Sequence, residues 1–348
     1  MGDEGGTLDR RDVTLVVPAR DSMRTIGACL DAALAVERRA GSRLARIVLV
    51  DDGSRDGTRA EAERRGVEVL ASGGRGAGAA RNIGWRAATT PLVWFVDSDC
   101  VAAPDALEAL LPALERADGG APFGGAGGSY DIASDATLLE RLIHEEIKVR
   151  HARMGDEVDF LATFNVIYRR ATLERLEGFD ERYLKGQDAE LAFRVLESGE
   201  RLGFAARSLV RHHHADRLSR YLRVQRQQGY WRVALHLEHR GHGRGDSYSG
   251  LLDHLQPFAA AALAPAVGLA AFAARDARFA LPLAALVAFL LVAQVPMALA
   301  MSRRTGPAML AFVPLGAVRS VWRAAGLVHG VIDRAFGRGA IARKERST

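Results

Sequence analysis

Hydrophobic residues early in the chain come in short unbroken runs, each stopped by an acid, a glycine or a proline. Val13-Thr14-Leu15-Val16-Val17 runs into Pro18, Ile47-Val48-Leu49-Val50 into Asp51 and Asp52, and Leu92-Val93-Trp94-Phe95-Val96 into Asp97-Ser98-Asp99. Apolar runs without alternation predict strands buried on both faces, as in a parallel sheet. Val67-Glu68-Val69-Leu70 predicts a shorter strand. Between the runs the period changes. Ile26, Cys29, Leu30, Ala33 and Leu34 recur at helical spacing behind Asp21-Ser22, Asp56-Gly57-Thr58 opens a second helix, and Ala79–Ala88 forms a third. Strand–helix alternation of this kind predicts an α/β fold with right-handed crossovers.

Further on, the glycine-rich Phe123–Ser129 continues the sheet, and Leu138 to Arg153 is an amphipathic helix whose Glu140, Glu145, Glu146 and Lys148 read as a solvated face. Thr163–Arg170 is a strand leading into a helix, and Tyr221–His236 is a helix rich in Arg, Gln and aromatics. Beyond Pro257 the pattern turns apolar almost throughout. Phe258–Ala274 and Phe279–Met301 read as two membrane helices in a hairpin, separated by Arg275-Asp276-Ala277-Arg278. Pro307–Ile332 is apolar but carries Arg319, Arg323 and His329, which suits an amphipathic helix in the interface.

The expected organisation is a tail at 1–12, a catalytic domain at 13–240, a linker at 241–256, the hairpin at 257–302, and an interfacial helix with a basic tail at 303–348. The 348 residues carry a formal net charge of +5 and two cysteines, too few for a disulfide scaffold. No zinc-type Cys/His spacing or basic aromatic strand supports a nucleic-acid partner. The N-terminus has no apolar core of a signal peptide, so the catalytic domain is expected on the cytoplasmic face of the cell membrane.

Asp97 and Asp99, at i and i+2 of extended chain, would face one spot at the carboxyl end of their strand, where ligands of open α/β sheets bind. Two converging carboxylates call for a cation, and Mg²⁺ or Mn²⁺ would bridge them to a diphosphate. Asp52 ends a strand at the same edge and can accept from a base or ribose. Ser72 to Gly84 is a glycine-rich loop and helix start with Arg75 and Arg81 (either a ligand contact or a flexible loop), and it lacks the G-K-[ST] of a Walker loop. Asp188 reads either as a general base or as the N-cap of helix Ala189–Glu197. One of His212, His213 and His214 could complete a metal shell, with His213 on the opposite strand face from the other two.

Together, Val16-Val17-Pro18-Ala19-Arg20-Asp21, Val50-Asp51-Asp52-Gly53-Ser54-x-Asp56-Gly57-Thr58, Ala80-Arg81-Asn82-x-Gly84, Asp97-Ser98-Asp99 and Gly178-Phe179-Asp180-Glu181 with Asp188, Glu190, Leu191 and Arg194 resemble family 2 glycosyltransferases of the GT-A fold, membrane-associated and of bacterial type. The resemblance runs from about Val13 to about Trp231 and implies a mostly parallel central sheet flanked by helices. It implies a nucleotide-sugar donor bound by Pro18, Ala19, Asp21, Asp52, Arg81 and Asp97, and a divalent metal on Asp99 with Asp97. It makes Asp188 the catalytic base and puts Gln187, Glu190, Gln228 and Trp231 on the acceptor side. Two departures stand out: Gln187 occupies a position usually acidic, and Asp21 one that is often Asn. The expected reaction is inverting, metal-dependent transfer of a hexosyl-type sugar to a hydroxyl. The acceptor classes in view are lipid-linked and cell-envelope glycans, with membrane lipids as further partners. The rival readings are a sugar-phosphate nucleotidyltransferase and a non-catalytic nucleotide-sugar-binding membrane scaffold.

Overall fold

A computed structural model describes residues 11–116, 119–132, 136–212, 214–239 and 247–338. Residues 1–10 of the expected tail, 241–246 of the expected linker and His213 lie outside these. The chain runs β1 (Val13–Ala19), α1 (Ile26–Arg38), β2 (Leu44–Asp51), α2 (Thr58–Arg64), β3 (Glu68–Ala71), α3 (Ala77–Ala87), β4 (Leu92–Val96), β5 (Cys100–Ala102), α4 (Ala106–Glu115) and β6 (Phe123–Ile132). After α5 (Leu138–His151) come β7 (Glu157–Val158), β8 (Asn165–Arg169), α6 (Arg170–Arg175), α7 (Gln187–Glu197) and β9 (Arg201–His212). The remainder is helical: α8 (Leu218–Glu238), α9 (Leu251–Ala261), α10 (Leu263–Ala270), α11 (Leu281–Val292), α12 (Val295–Thr305) and α13 (Phe312–Ala335). These elements form two compact units. One comprises Met1–Ser134 with Met154–His213, and the other Asp135–Arg153 with His214–Thr348.

The first unit is a single mixed sheet ordered β3-β2-β1-β4-β8-β6-β9-β5, with β7 on β9. Pairing is parallel from β3 through β4. Beyond β4, β8 runs antiparallel to both its neighbours, while β6 and β9 are parallel. β1 therefore has β2 on one side and β4 on the other, which makes the gap beyond the carboxyl ends of β1 and β4 the topological switch point, where ligands of such sheets bind. Every residue of β1 and β4 is buried. Leu15, Val17, Trp94 and Val96 pack on one face, Val16, Val93 and Phe95 on the other. Apolar residues at both parities thus fill two cores, the physical content of the unbroken runs. Phe95 meets Phe179 edge-on at 5.4 Å, a contact contributing about 0.5–1.5 kcal/mol beyond area burial.

The second unit corrects one expectation. The acids of α5 are not a solvated face, since Glu140, Glu145 and Glu146 are all buried. Glu140 closes a capping box with Thr137, Glu145 pairs with Arg304 at 3.2 Å, and Glu146 is held between Arg150 and Arg319. Helical periodicity could not reveal this, because two of the cations come from helices more than 150 positions away in sequence. Among the described residues one helix, Ala277–Thr305, is long and apolar enough to cross a membrane. The other expected span falls across α9 and α10, which are 11 and 8 residues long.

Close approach of α3 to β1 depends on Gly84, where a Cβ would run into the Val16 side chain. Gly84→Ala should therefore cost about 1–3 kcal/mol as an overpacking change. Denaturant titration should show a clearly smaller cost in a Val16→Ala background. Equal costs in both backgrounds would rule out this contact as the cause.

Candidate active site

The site grows from the loops that leave the carboxyl ends of β1, β2 and β4. Asp21, at φ +48, takes the left-handed conformation that Asp and Asn tolerate best, which accounts for either residue standing there. Its Oδ1 accepts from the Arg55 N–H at 2.8 Å, and its own N–H donates to Ser54 Oγ at 3.0 Å. Asp51 accepts from the Ser54 N–H, and Asp56 accepts from the Thr58 N–H at the start of α2 and from the Met23 N–H. The D-D-G-S-x-D-G-T stretch thus laces two loops together. Pro18 and Ala19 close β1 beside it, both buried.

Asp52 is buried and its carboxylate is already engaged. It accepts from Ser72 Oγ at 2.6 Å and from the Gly76 N–H at 3.0 and 3.1 Å. Gly73, Gly74 and Gly76 all have positive φ, so this loop needs glycine and Asp52 holds it in place. The glycine stretch is an anchored loop, which is compatible with a ligand contact.

Arg81 is buried on α3. Its Nη2 donates to Asp97 Oδ1 at 2.7 Å and its Nη1 to Gln187 Oε1 at 3.2 Å. The neighbouring Asn82 accepts from the Phe179 N–H and donates to the Phe179 carbonyl and to Glu181. Consecutive residues of α3 therefore tie the end of β4 and the loop before α7 to one helix.

The parity argument for Asp97 and Asp99 does not apply, because β4 ends at Val96 and a turn follows, closed by the Cys100 N–H on the Asp97 carbonyl at 2.9 Å. Asp97 turns to Arg81. Asp99 Oδ2 lies 3.2 Å from His212 Nε2. The β5–β9 ladder makes that contact by setting Cys100 directly opposite His212. Asp99, Cys100 and His212 offer donor atoms within 4.8 Å of one another, and Asp97 is not in that group. His214 is buried in the second unit, 3.5 Å from His144. Burial works to raise the Asp99 carboxyl, but the bond to His212 and its charge hold it below the ordinary value. Burial, then the charges of Asp99 and Asp97, push the Cys100 thiol well up, which leaves it a protonated S–H rather than a thiolate.

These residues fit a divalent cation. Two ligand atoms about 2.1 Å from Mg²⁺ or Mn²⁺ at right angles lie about 3 Å apart, close to the Asp99–His212 spacing. One carboxylate and one imidazole leave most of a shell for phosphate oxygens and water.

Gly186, at φ +82, caps α7, so Asp188 sits in the first turn rather than at the N-cap. Its Oδ1 accepts from the Ala189 N–H at 3.0 Å. Burial raises the Asp188 carboxyl above its ordinary value, against the lowering pull of that bond and of Arg81, and Asp97 raises it further. The two neighbouring candidates have structural partners. Gln187 is buried and bridges Arg81 to the Tyr183 carbonyl. Glu190 is 3% exposed and forms a two-pronged pair with Arg194 at 2.5 and 2.7 Å. Gln228 and Trp231 lie on α8 in the second unit, Gln228 exposed and accepting from Arg323, Trp231 buried. Sequence reasoning gave Asn82 and Cys100 no role. Asn82 carried a signal in its place beside Arg81 in the motif, whereas Cys100 becomes a donor neighbour only through a strand register.

A mixed sheet with its acids gathered at the β1/β4 switch point is the GT-A arrangement that the sequence led us to expect. The sequence agrees: residues 14–176 match Glycosyl transferase family 2. Over 231 residues the chain is 27% identical to the pre-mycofactocin glycosyltransferase of Mycobacterium tuberculosis, found in two strains, with 60% of this chain aligned. The alignment spans 44% of the length of those relatives. Among solved structures, the mannosyltransferase of Pyrobaculum calidifontis, in complex with GDP-Man and Mn²⁺, superposes with a TM-score of 0.62 at 17% identity, covering 94% of this chain and 88% of that one. At that identity the likeness establishes the fold.

The raised Asp188 carboxyl has a stability signature. An acid whose folded value exceeds its ordinary one makes the native state lose stability as pH rises from the ordinary value through the raised one. Asp188→Asn removes that loss. The variant should melt above the parent at pH 7, and the gap should close as pH falls through the ordinary value of 3.8. Parallel melting curves, offset equally at every pH, would show that the carboxylate is not under strain.

Proposed function

We propose that the chain is a metal-dependent, inverting glycosyltransferase that moves a sugar from a nucleoside-diphosphate donor to an acceptor hydroxyl. The observation that carries this reading is a set of three groups with separate tasks, linked through Arg81 and the turn after β4: the Arg81–Asp97 pair, the Asp99–His212 pair and the raised carboxyl of Asp188, which feels the charges of Arg81 and Asp97. The family match supports the reaction class, and the GDP-Man and Mn²⁺ named with the Pyrobaculum structure support a nucleotide sugar and a divalent metal.

In this reading Asp99 and His212 hold the metal, which supplies charge neutralisation for the departing diphosphate. Arg81, fixed by Asp97 and Gln187, holds the Asp97 carboxylate toward the ribose side of the donor. Asp188 keeps Oδ1 on the Ala189 N–H and takes the acceptor proton on Oδ2 as the hydroxyl attacks the anomeric carbon from the face opposite the leaving group. A raised carboxyl is the better base, so long as the medium stays above its value. With Gln187 and Glu190 tied to Arg81 and Arg194, both serve to orient the site. The apolar Ala277–Thr305 helix supports a membrane location. It also favours an acceptor presented at the membrane, such as a lipid-linked hydroxyl, with the catalytic unit on the cytoplasmic side.

Two measurements test the proposal. Thermal shift in detergent against UDP-, GDP- and dTDP-sugars, with Mn²⁺ and with chelator, should give metal-dependent stabilisation by one nucleotide class. His212→Ala and Asp99→Ala should abolish the shift, and a shift unchanged by chelator would refute the metal assignment. Asp188→Asn should then lower turnover by about 10²–10⁴-fold with donor affinity kept. Equal losses in affinity and turnover would remove Asp188 from the base role, and release of pyrophosphate rather than nucleoside diphosphate would remove the reaction class.

A further inference from the structure

Helix α13 turns Arg319 and Ser320 inward, each 2% exposed, while Val318, Trp322 and Ile332 stand out at 38, 40 and 46%, with exposed His329 among them and Phe336 just past the helix end at 69%. A helix whose outer side met water would show the opposite arrangement. Nor does Arg319 reach outward, as the cations of an interfacial helix do when they bind headgroups.

The inward charge is neutralised within the unit. Arg319 Nη1 donates to both Glu146 oxygens at 2.6 and 2.5 Å, and Arg150 reaches Glu146 from the other side at 2.7 Å. Arg150 also donates to both oxygens of Asp253 at 2.8 Å. Two acids therefore meet two arginines, which makes burying these charges tolerable.

Polar and small residues also make the contacts between helices. Gln294 Nε2 donates to Gln256 Oε1 at 2.8 Å, and Ser320 Oγ donates to the same oxygen at 2.9 Å. All three side chains are buried. Gly326 and Gly330, one turn apart, let α13 lie on the backbone of α8, where a Cβ at either position would strike Arg226 or Tyr230. Polar knots and small-residue crossings hold helices together where the surroundings are as apolar as the side chains and hydrophobic burial offers no drive.

The outward apolar surface is not confined to α13. On α11, Leu281, Val287 and Val292 are exposed at 62, 43 and 65%, within the helix that is long enough to cross a membrane. At about 1.5 Å per residue its 29 residues come to roughly 44 Å, the thickness of a bilayer with its headgroups. Exposed Arg303 at its end complements anionic headgroups, while the neighbouring Arg304 pairs with Glu145.

We propose that the outer stripe of α13 faces the acyl chains of an anionic bilayer, continuous with the lipid-facing side of α11, while the Glu146–Arg319 knot forms the interior behind it. This rests on the membrane location proposed above and is independent of the sugar chemistry.

Trp322 provides the test, because Trp85, Trp94 and Trp231 are 5, 0 and 6% exposed. The full chain would be reconstituted in phosphatidylethanolamine–phosphatidylglycerol vesicles with and without acyl-brominated lipid, beside Trp322→Phe. The bromolipid should quench a component of the emission that is missing in Trp322→Phe, and aqueous acrylamide should spare that component. Quenching by acrylamide alone would mean that the stripe faces water. Protection from both quenchers would mean that protein, such as a second copy of the chain, covers it. Either result overturns the proposal. Metal-dependent donor binding, read on the same samples, would report separately on the catalytic reading.

Discussion

The ion pair between Arg81 and Asp97 is the contact on which the candidate site depends. Both charges leave bulk water to make it, Arg81 almost wholly, and a buried cation deprived of its partner is strongly destabilising. The pair survives because other bonds fix its position. Asn82, the next residue of α3, grips the Phe179 backbone from both sides, and Gln187 accepts from the second guanidinium nitrogen. One rigid helix thereby sets the distance between the end of β4 and the start of α7. Moving Arg81 would move the turn that carries Asp99 and the helix that carries Asp188 at once. A neutral Gln187 is compatible with this arrangement, since Asp97 already balances the Arg81 charge and a second carboxylate would leave the cluster net negative beside Asp188.

Local chemistry made much of this legible. Buried strands announce themselves as unbroken apolar runs, and the residues that stop β1, β2 and β4 are the residues at the ligand edge, because a parallel sheet brings successive carboxyl ends to one side. The base candidate was readable from its setting behind Gly178-Phe179-Asp180-Glu181. Contacts made by register or by distant helices were not. His212 reaches Asp99 only because β5 pairs antiparallel with β9, and nothing in Arg211-His212-His213-His214 says which ring faces which neighbour. Parity failed at Asp97 for a related reason: alternation holds only while the chain stays extended, and it turns at the motif itself. Glu146 looked like a surface acid because its local helical pattern resembles that of any amphipathic helix.

Motif residues also divide by task in a way that their letters conceal. Asp51, Asp56 and Asn82 spend their polar atoms on backbone, and so hold loops in shape. Asp52 does the same for the glycine loop through Gly76. Asp99 and Asp188 differ in kind, as each keeps a half-buried carboxylate with capacity left for a ligand, and their surroundings push them in opposite directions. His212 lowers Asp99 and suits it to staying ionised beside a cation, whereas burial raises Asp188 and suits it to taking a proton. Two aspartates, one in the turn after β4 and one on α7, are thus tuned in opposite directions by their surroundings alone.

The second unit has a buried apolar cluster around Met301, Met309 and Phe312, and beside it several charged groups that are buried as pairs. Its helix contacts thus include a set of paired charges, shared amides and glycine crossings, each of which is strengthened away from water. The segment Asp135–Arg153 is central to that set, because α5 leaves the catalytic sheet between β6 and β7 to supply both Glu146 and Arg150. Without α5, Arg319 would be buried with no carboxylate and Asp253 would lose its arginine. The polar interior of the C-terminal helices is therefore completed by a helix drawn from the middle of the chain, between β6 and β7.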